Sequence, residues 1–272
     1  MLSIACTFRQ GIILEHLACP PLRLLHFLYH ELRPEKSRYS YVLETCEFEK
    51  HIDLFARIRE QAQEKKAAAL WPEVTFDDGH ISNFEYALPI LQAHGMKARF
   101  FITAGWTGTK DGYMGWKELR SLLDAGQLIG AHGWSHMLLT HCDDSEMSSE
   151  LRGAKETLED RLGVAVDTMS LPGGRYNRRV LAACREAGYA QVYTSIPRAE
   201  DFPPSAMVGR LNVRGDMPVA QIGNLLREQS GALANLERSY QIKAATKRLL
   251  GDKLYEKVWA VLNRKEDEVA VR

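Results

Sequence analysis

Residues 67–76, Ala-Ala-Ala-Leu-Trp-Pro-Glu-Val-Thr-Phe, form a short apolar run that stops at Asp77-Asp78-Gly79-His80. A run of this length and composition reads as a buried strand, and Asp-Gly marks the turn that ends it. Two carboxylates at the end of a buried strand are costly to desolvate unless each finds a partner. Successive side chains of a strand point to opposite sides, so the two acids can take different roles. Capping of the following helix is the plainer alternative.

Working outward, strands and helices alternate with few long gaps. Leu22–Tyr29 reads as a strand, and Phe48, Ile52, Phe55 and Ile58 then recur at helical spacing. Beyond the aspartates, Ile81–His94 reads as a helix stopped by Gly95, Ala98–Thr103 as a strand, and Trp116–Ala125 as a helix before Gly126. Leu128–Ala131 is a strand ending at His132, and Ser145–Leu162 a periodic helix with Asp144 or Ser145 as N-cap and Gly163 as stop. Val166–Leu171 runs as a strand into Pro172-Gly173-Gly174. Arg178–Ala187 is a helix closed by Gly188, and Gln191–Ser195 and Met207–Val213 are the last strands.

Strand–helix units repeated this often imply a parallel sheet of α/β class. Roughly seven of them favour a distorted (β/α)7-type barrel over a doubly wound open sheet. His30, the Asp77-Asp78 pair, His132 and Pro172-Gly173-Gly174 all fall where a strand ends. In a barrel of parallel strands those ends share one face, where catalysis sits. Residues 216–272 carry helical patterns only, over 218–229 and 234–263, so the expected division is a barrel over 22–215 and a C-terminal helical extension over 216–272.

Further along lies His132-Gly133-Trp134-Ser135-His136. One carboxylate and two imidazoles can hold a divalent cation with coordination positions left open. A second carboxylate beside them is free to take a proton from an activated water. Gly173 can let a backbone N–H approach an oxyanion closely, although a simple Pro-Gly turn is the equal alternative. Arg210, near the end of the last strand, can orient the Asp77 carboxylate by a charge-assisted bond.

Together these motifs resemble the NodB-type polysaccharide deacetylases, the family-four carbohydrate esterases, over Leu24–Val213. The resemblance implies that Asp77 is the general base and that Asp78, His132 and His136 hold the metal. Zinc suits such a ligand set best; cobalt, nickel and iron also fit. The third motif departs from the family's arginine- and proline-containing loop: Leu171-Pro172-Gly173-Gly174-Arg175-Tyr176 puts Gly173, Gly174 and Tyr176, with Arg210, on the substrate side. The family's late Leu-x-His acid is missing, since no histidine follows His141. His30, closing Phe27-Leu28-Tyr29-His30, is the substitute. That is similar to the branch acting on poly-N-acetylglucosamine, where a Tyr-His pair ends the first strand. The implied activity is hydrolysis of N-acetyl groups on an amino-sugar glycan or glycan precursor. Another amide hydrolase on the same scaffold, such as a deformylase, and a non-catalytic glycan-binding relative are the alternatives.

Lys+Arg and Asp+Glu each number 35 among 272 residues, so the formal charge is zero and a nucleic-acid partner is disfavoured. Five scattered cysteines without a Cys-x-x-Cys pair read as reduced thiols. Arg9, Gln10, Glu15 and His16 interrupt the apolar residues near the start, and no run reaches membrane-spanning length, so a cytoplasmic location is expected. Lys243, Lys247, Arg248, Lys253 and Lys257, interleaved with Leu249, Leu254 and Trp259, suit either packing on the barrel or peripheral contact with an anionic membrane. A soluble or lipid-linked N-acetylated sugar is the expected substrate partner; oligomeric state is not legible.

Overall fold

The computed structural model describes residues 22–65 and 70–250. Strand β1 (Arg23–Tyr29) leads into a small parallel pair outside the main sheet, β2 (Glu31–Arg33) and β3 (Val42–Glu44), and then into helix α1 (Thr45–Lys65). Next come β4 (Leu70–Phe76), α2 (Leu88–Ala93), β5 (Ala98–Ile102), α3 (Trp116–Asp124) and β6 (Leu128–Ala131). Helices α4 (Asp144–Ser148) and α5 (Ala154–Leu162) precede β7 (Thr168–Ser170), and α6 (Arg178–Glu186) precedes β8 (Gln191–Tyr193). The chain continues through β9 (Glu200–Asp201), β10 (Met207–Val208), β11 (Arg210–Asn212), α7 (Val219–Leu226) and α8 (Ala232–Leu250).

The main sheet runs β10-β8-β7-β6-β5-β4-β1-β11, with all these neighbours parallel and β9 antiparallel on β1. Its two ends, β10 and β11, are one stretch of chain divided only by Gly209. That stretch pairs with β8 before the glycine and with β1 after it, so the sheet almost closes on itself. The barrel reading holds, and the expected final strand Met207–Val213 is split at this seam. Changing partners leaves the Gly209 N–H without a ladder acceptor, and the Glu200 carboxylate takes it at 2.7 Å.

The two faces of the strands differ sharply. On β1, Phe27 packs on Phe55, and Tyr29 on Phe48 of α1, in the main core between sheet and helices. The alternate residues His26, Leu28 and His30 face the barrel interior, as do Thr75 and Asp77 on β4 and just beyond it. Phe101, Tyr193 and Val208 form a separate apolar plug inside the barrel. An interior lined by so many polar groups needs internal partners for them, which the site supplies.

Several sequence expectations are corrected. The helix expected over 81–94 opens with a π-helical turn, Asn83–Ala87, and the one expected over 145–162 is interrupted by another, Ser149–Gly153. Its N-cap is Asp143, whose side chain accepts from the Glu146 N–H, rather than Asp144 or Ser145. Helix α7 buries Ile222, Leu225 and Leu226 in the main core, so the start of the segment 216–272 is integral to the barrel's outer layer. Of the expected basic face of the last helix, Lys243, Lys247 and Arg248 fall on α8, while Lys253 and Lys257 lie outside the described residues. Among the described residues no helix is long and apolar enough to cross a membrane.

His51 of α1 is fully buried, its Nδ1 bonded to the Tyr29 hydroxyl at 3.2 Å behind the first strand. Burial pushes its pKa down from 6.5 to about 4. The unfolded chain therefore binds a proton that the native protein refuses between those values. Stability is at its full value above pH 6.5 and falls as the pH drops toward 4, by up to about 3 kcal/mol from this residue. In urea denaturation at pH 7 and pH 4, His51→Gln should lose about that much less stability than the wild type. An identical pH dependence in both proteins would exclude His51 as the source.

Candidate metal and active site

Asp78 follows β4 and takes a left-handed backbone, φ 73°, which turns its carboxylate across the barrel mouth. There Oδ1 lies 3.2 Å from His132 Nε2 and 3.3 Å from His136 Nε2. His132 follows β6 directly, and its Nδ1 donates to the Ser170 carbonyl at 2.9 Å, which leaves Nε2 as the lone-pair nitrogen facing Asp78. His136, also left-handed at φ 64°, brings its ring in from the following loop, stacked on Trp106 at 5.4 Å. The three ligand atoms lie within 4.8 Å of one another.

The donor set fits a divalent cation. Asp78 Oδ1 is buried yet makes no hydrogen bond, an orphan where an ion would sit. Burial alone would raise the Asp78 carboxyl, but the His132 and His136 rings facing it hold it well below the usual range. Burial also opposes charge on His132, yet Asp77 and Asp78 raise its pKa. Both directions mean that this pocket draws positive charge. Asp78, His132 and His136 are the residues that would hold the metal.

Asp77 points into the barrel and is buried. The Arg210 guanidinium, itself wholly buried, donates to both of its oxygens at 2.7 and 2.9 Å, and the Ser170 hydroxyl donates to Oδ2 at 2.8 Å. Burial would raise this carboxyl, but Arg210 outweighs it and keeps Asp77 below the ordinary carboxylate range. Asp77 Oδ2 lies 3.9 Å from His132 Nε2, so an ionised carboxylate sits beside the metal ligands without belonging to them.

These groups open onto a cleft of about 420 Å³ whose wall includes His30, Tyr41, Tyr113, Gly173, Gly174 and Ser195. His30 Nδ1 is buried without a partner, its ring 5.0 Å from that of Tyr41. Burial, only partly offset by Asp77 and Asp78, lowers the His30 pKa, so the resting ring is neutral. Two expected substrate contacts are placed elsewhere. Arg210 lies beneath the cleft at 0% exposure, committed to Asp77, and Tyr176 packs against the hydrophobic core rather than lining the cleft.

Residues not expected from the sequence complete the site. Ser170 links Asp77 and Arg210; Asn83, in the first π-helical turn, donates to the His30 carbonyl at 2.6 Å. Glu150, in the second, binds the backbone between the two histidines. Asn212 offers an unpartnered buried Oδ1 on the cleft wall. No motif marks them, because each acts through a contact remote in sequence.

Removing Arg210 would strand the Asp77 charge in the barrel. Arg210→Met should cost about 3–5 kcal/mol of stability at pH 7, and adding Asp77→Asn should recover most of it. Strictly additive losses in urea denaturation would show that the two side chains are not coupled.

Residues 62–192 match the family model for polysaccharide deacetylase. Among curated proteins, YxkH of Bacillus subtilis is 29% identical over 137 residues, 50% of this chain and 49% of that protein. A chitin deacetylase of Pestalotiopsis sp is 29% identical over 125 residues, 45% of this chain and 41% of that protein. These matches span about half the length of the curated relatives or less. The Streptococcus pyogenes deacetylase PplD, solved with acetate, shares the fold at TM-score 0.67 and 16% identity, over 76% of this chain and 100% of that one. IcaB from Ammonifex degensii does so at TM-score 0.58 and 22% identity, over 73% and 94%. At these identities the solved structures speak for the fold, and residues 62–192 are similar to the polysaccharide deacetylase family.

Proposed function

We propose that this protein is a metal-dependent hydrolase that removes N-acetyl groups from an amino-sugar glycan or glycan precursor. One observation carries the reading: Asp77, buried and held ionised by Arg210, stands 3.9 Å from a ring of the ligand cluster without being needed to hold a cation. Mere binding of a metal or a sugar has no use for that second carboxylate. The family match supports the acyl-hydrolase class, and deacetylases among the named relatives support the N-acetyl group.

A divalent cation held by Asp78, His132 and His136 would supply Lewis acidity to a water and to the acyl carbonyl, and zinc suits this ligand set. Asp77, kept ionised, takes the proton as the water attacks. A carboxylate with so low a pKa is a weak base, so it serves only a water whose own acidity has been raised. Arg210 and Ser170 keep its oxygens from turning away. Gly173 and Gly174 let the backbone of the cleft wall come close to the oxyanion as it forms. Tyr41 and Tyr113 offer flat apolar faces to a sugar ring.

The departing amine needs a proton, and we assign its delivery to His30. Its ring lines the cleft with Nδ1 free of other partners. Because burial keeps the resting ring neutral, it must first take up a proton. Asp77 carries one once the water has attacked and, as the stronger acid of the two, passes that proton on to the imidazole. A precursor or lipid-linked sugar is the proposed substrate form, in keeping with the cytoplasmic location expected above.

Five variants test this reading against an acetate-release assay on N-acetylglucosamine oligomers, with metal analysis of the same preparations. His132→Ala or His136→Ala should lose metal and activity together. Asp77→Asn should keep the metal and lose at least about a hundredfold in turnover. Metal lost from Asp77→Asn but kept by Asp78→Asn would reverse the roles of the two acids. His30→Ala should fold, keep its metal and lose about a hundredfold in turnover; near-normal rates would remove His30 from the mechanism. Wild-type protein inactive on acetyl sugars but active on other members of a panel of N-acyl substrates would favour a different amide hydrolase.

A further inference from the structure

The loop 132–136 carries two of the three ligands, and its backbone is gripped from both sides. On one side the amides of Ala104 and Gly105 donate to the carbonyls of Gly133 and Trp134 at 3.0 and 2.8 Å. On the other stands Glu150. One of its oxygens accepts the Trp134 N–H at 2.9 Å and the Ser135 N–H at 3.0 Å, while the other accepts the Ser135 hydroxyl at 2.5 Å. Glu150 is 5% exposed, and among the described residues no arginine, lysine or histidine pairs with it. A buried carboxylate neutralised only by the donors of one short loop is expensive, and it makes that loop conformation the one that repays the burial.

Room for this carboxylate comes from Gly133. Its backbone is left-handed at φ 78°, and a Cβ there would lie 2.8 Å from Glu150 Oε2. Immediately after the residues Glu150 holds comes His136, itself left-handed at φ 64°. A non-glycine residue in that region carries a strain of the kind that persists only where its surroundings over-determine it. With Trp134 and Ser135 released, the backbone would relax and carry the His136 ring off Asp78.

We propose that Glu150 is the positioning residue of the metal centre, holding His136 in its strained, ligating conformation through Trp134 and Ser135. The proposal rests on the metal-site reading above. It also gives the π-helical turn Ser149–Gly153 a purpose, since Glu150 is the residue which that turn presents to the loop.

The test is cobalt(II) binding to the full chain, read by calorimetry and by the visible absorption of the bound ion. Glu150→Ala and Glu150→Gln should fold, as judged by circular dichroism and melting, yet bind cobalt about 10–100-fold more weakly and with a shifted absorption band. Glutamine is nearly isosteric but turns an NH₂ toward one of the loop's donors, so it should fail to rescue. Ser135→Ala keeps both amide contacts and should weaken binding less than either. If Glu150→Ala does not fold, the glutamine and Ser135 variants decide the matter. Wild-type affinity and spectrum in Glu150→Gln would overturn the positioning role alone. Failure of the wild-type chain to bind cobalt would overturn the metal-site reading, and this proposal with it.

Discussion

Everything in the barrel mouth is arranged around one guanidinium. Arg210 has five N–H donors, and the interior offers five acceptors: the Thr194 carbonyl, both Asp77 oxygens, and the hydroxyls of Ser170 and Thr75. Those partners come from the ends of three other strands. A single planar group therefore sets the relative height of β4, β7, β8 and β11, and does so only if Asp77 is ionised. A lysine, with three donors and no plane, could not make the same set of bonds. The apolar plug of Phe101 and Tyr193 lies under the guanidinium, 5.2 and 5.8 Å from it, and keeps water from competing.

Above this layer the backbone is held in conformations that its residues do not favour. Asp78 and His136 are the non-glycine residues with positive φ among the described residues, and both belong to the candidate metal cluster. Strain concentrated in this way marks a site whose geometry is imposed by its surroundings. Two buried polar side chains, Glu150 and Asn83, each carried on a π-helical turn of an outer helix, bond the backbone of the 132–136 loop and of His30. The outer layer of helices thus covers the barrel and also braces the loops at its mouth.

Much of this was legible in the sequence because it follows from local pattern. Apolar runs gave β1 and the strands from β4 to β8, and Gly95, Gly126, Gly163 and Gly188 followed the helices they were expected to end. Asp77, Asp78, His132 and His136 stood out through residue type and spacing. Other parts depend on contacts that spacing cannot reveal. β2, β3 and β9 are two or three residues long and carry no periodicity. Tyr176 sits in the glycine loop by sequence, but after the turn its side chain meets the core. Arg210 was legible as the residue that orients Asp77, as the structure shows, whereas the closed barrel buries it away from any substrate contact. Glu150 and Ser170 are ordinary polar residues until the fold brings them 15 and 93 positions back to their partners.

The seam at Gly209 has a consequence in time as well as in space. Asp77 and Arg210 are 133 positions apart, and the segment that closes the barrel is also the one that brings Asp77 its counter-charge. On the ribosome, the strands bearing Asp77, Asp78, His132 and His136 emerge while that segment has yet to be translated. Until it arrives, the emerging carboxylates lack their guanidinium and the barrel lacks its last stave. Vectorial translation thus acts as an interlock, in which the buried Asp77 charge finds its counter-ion only once the segment after Gly209 has been made.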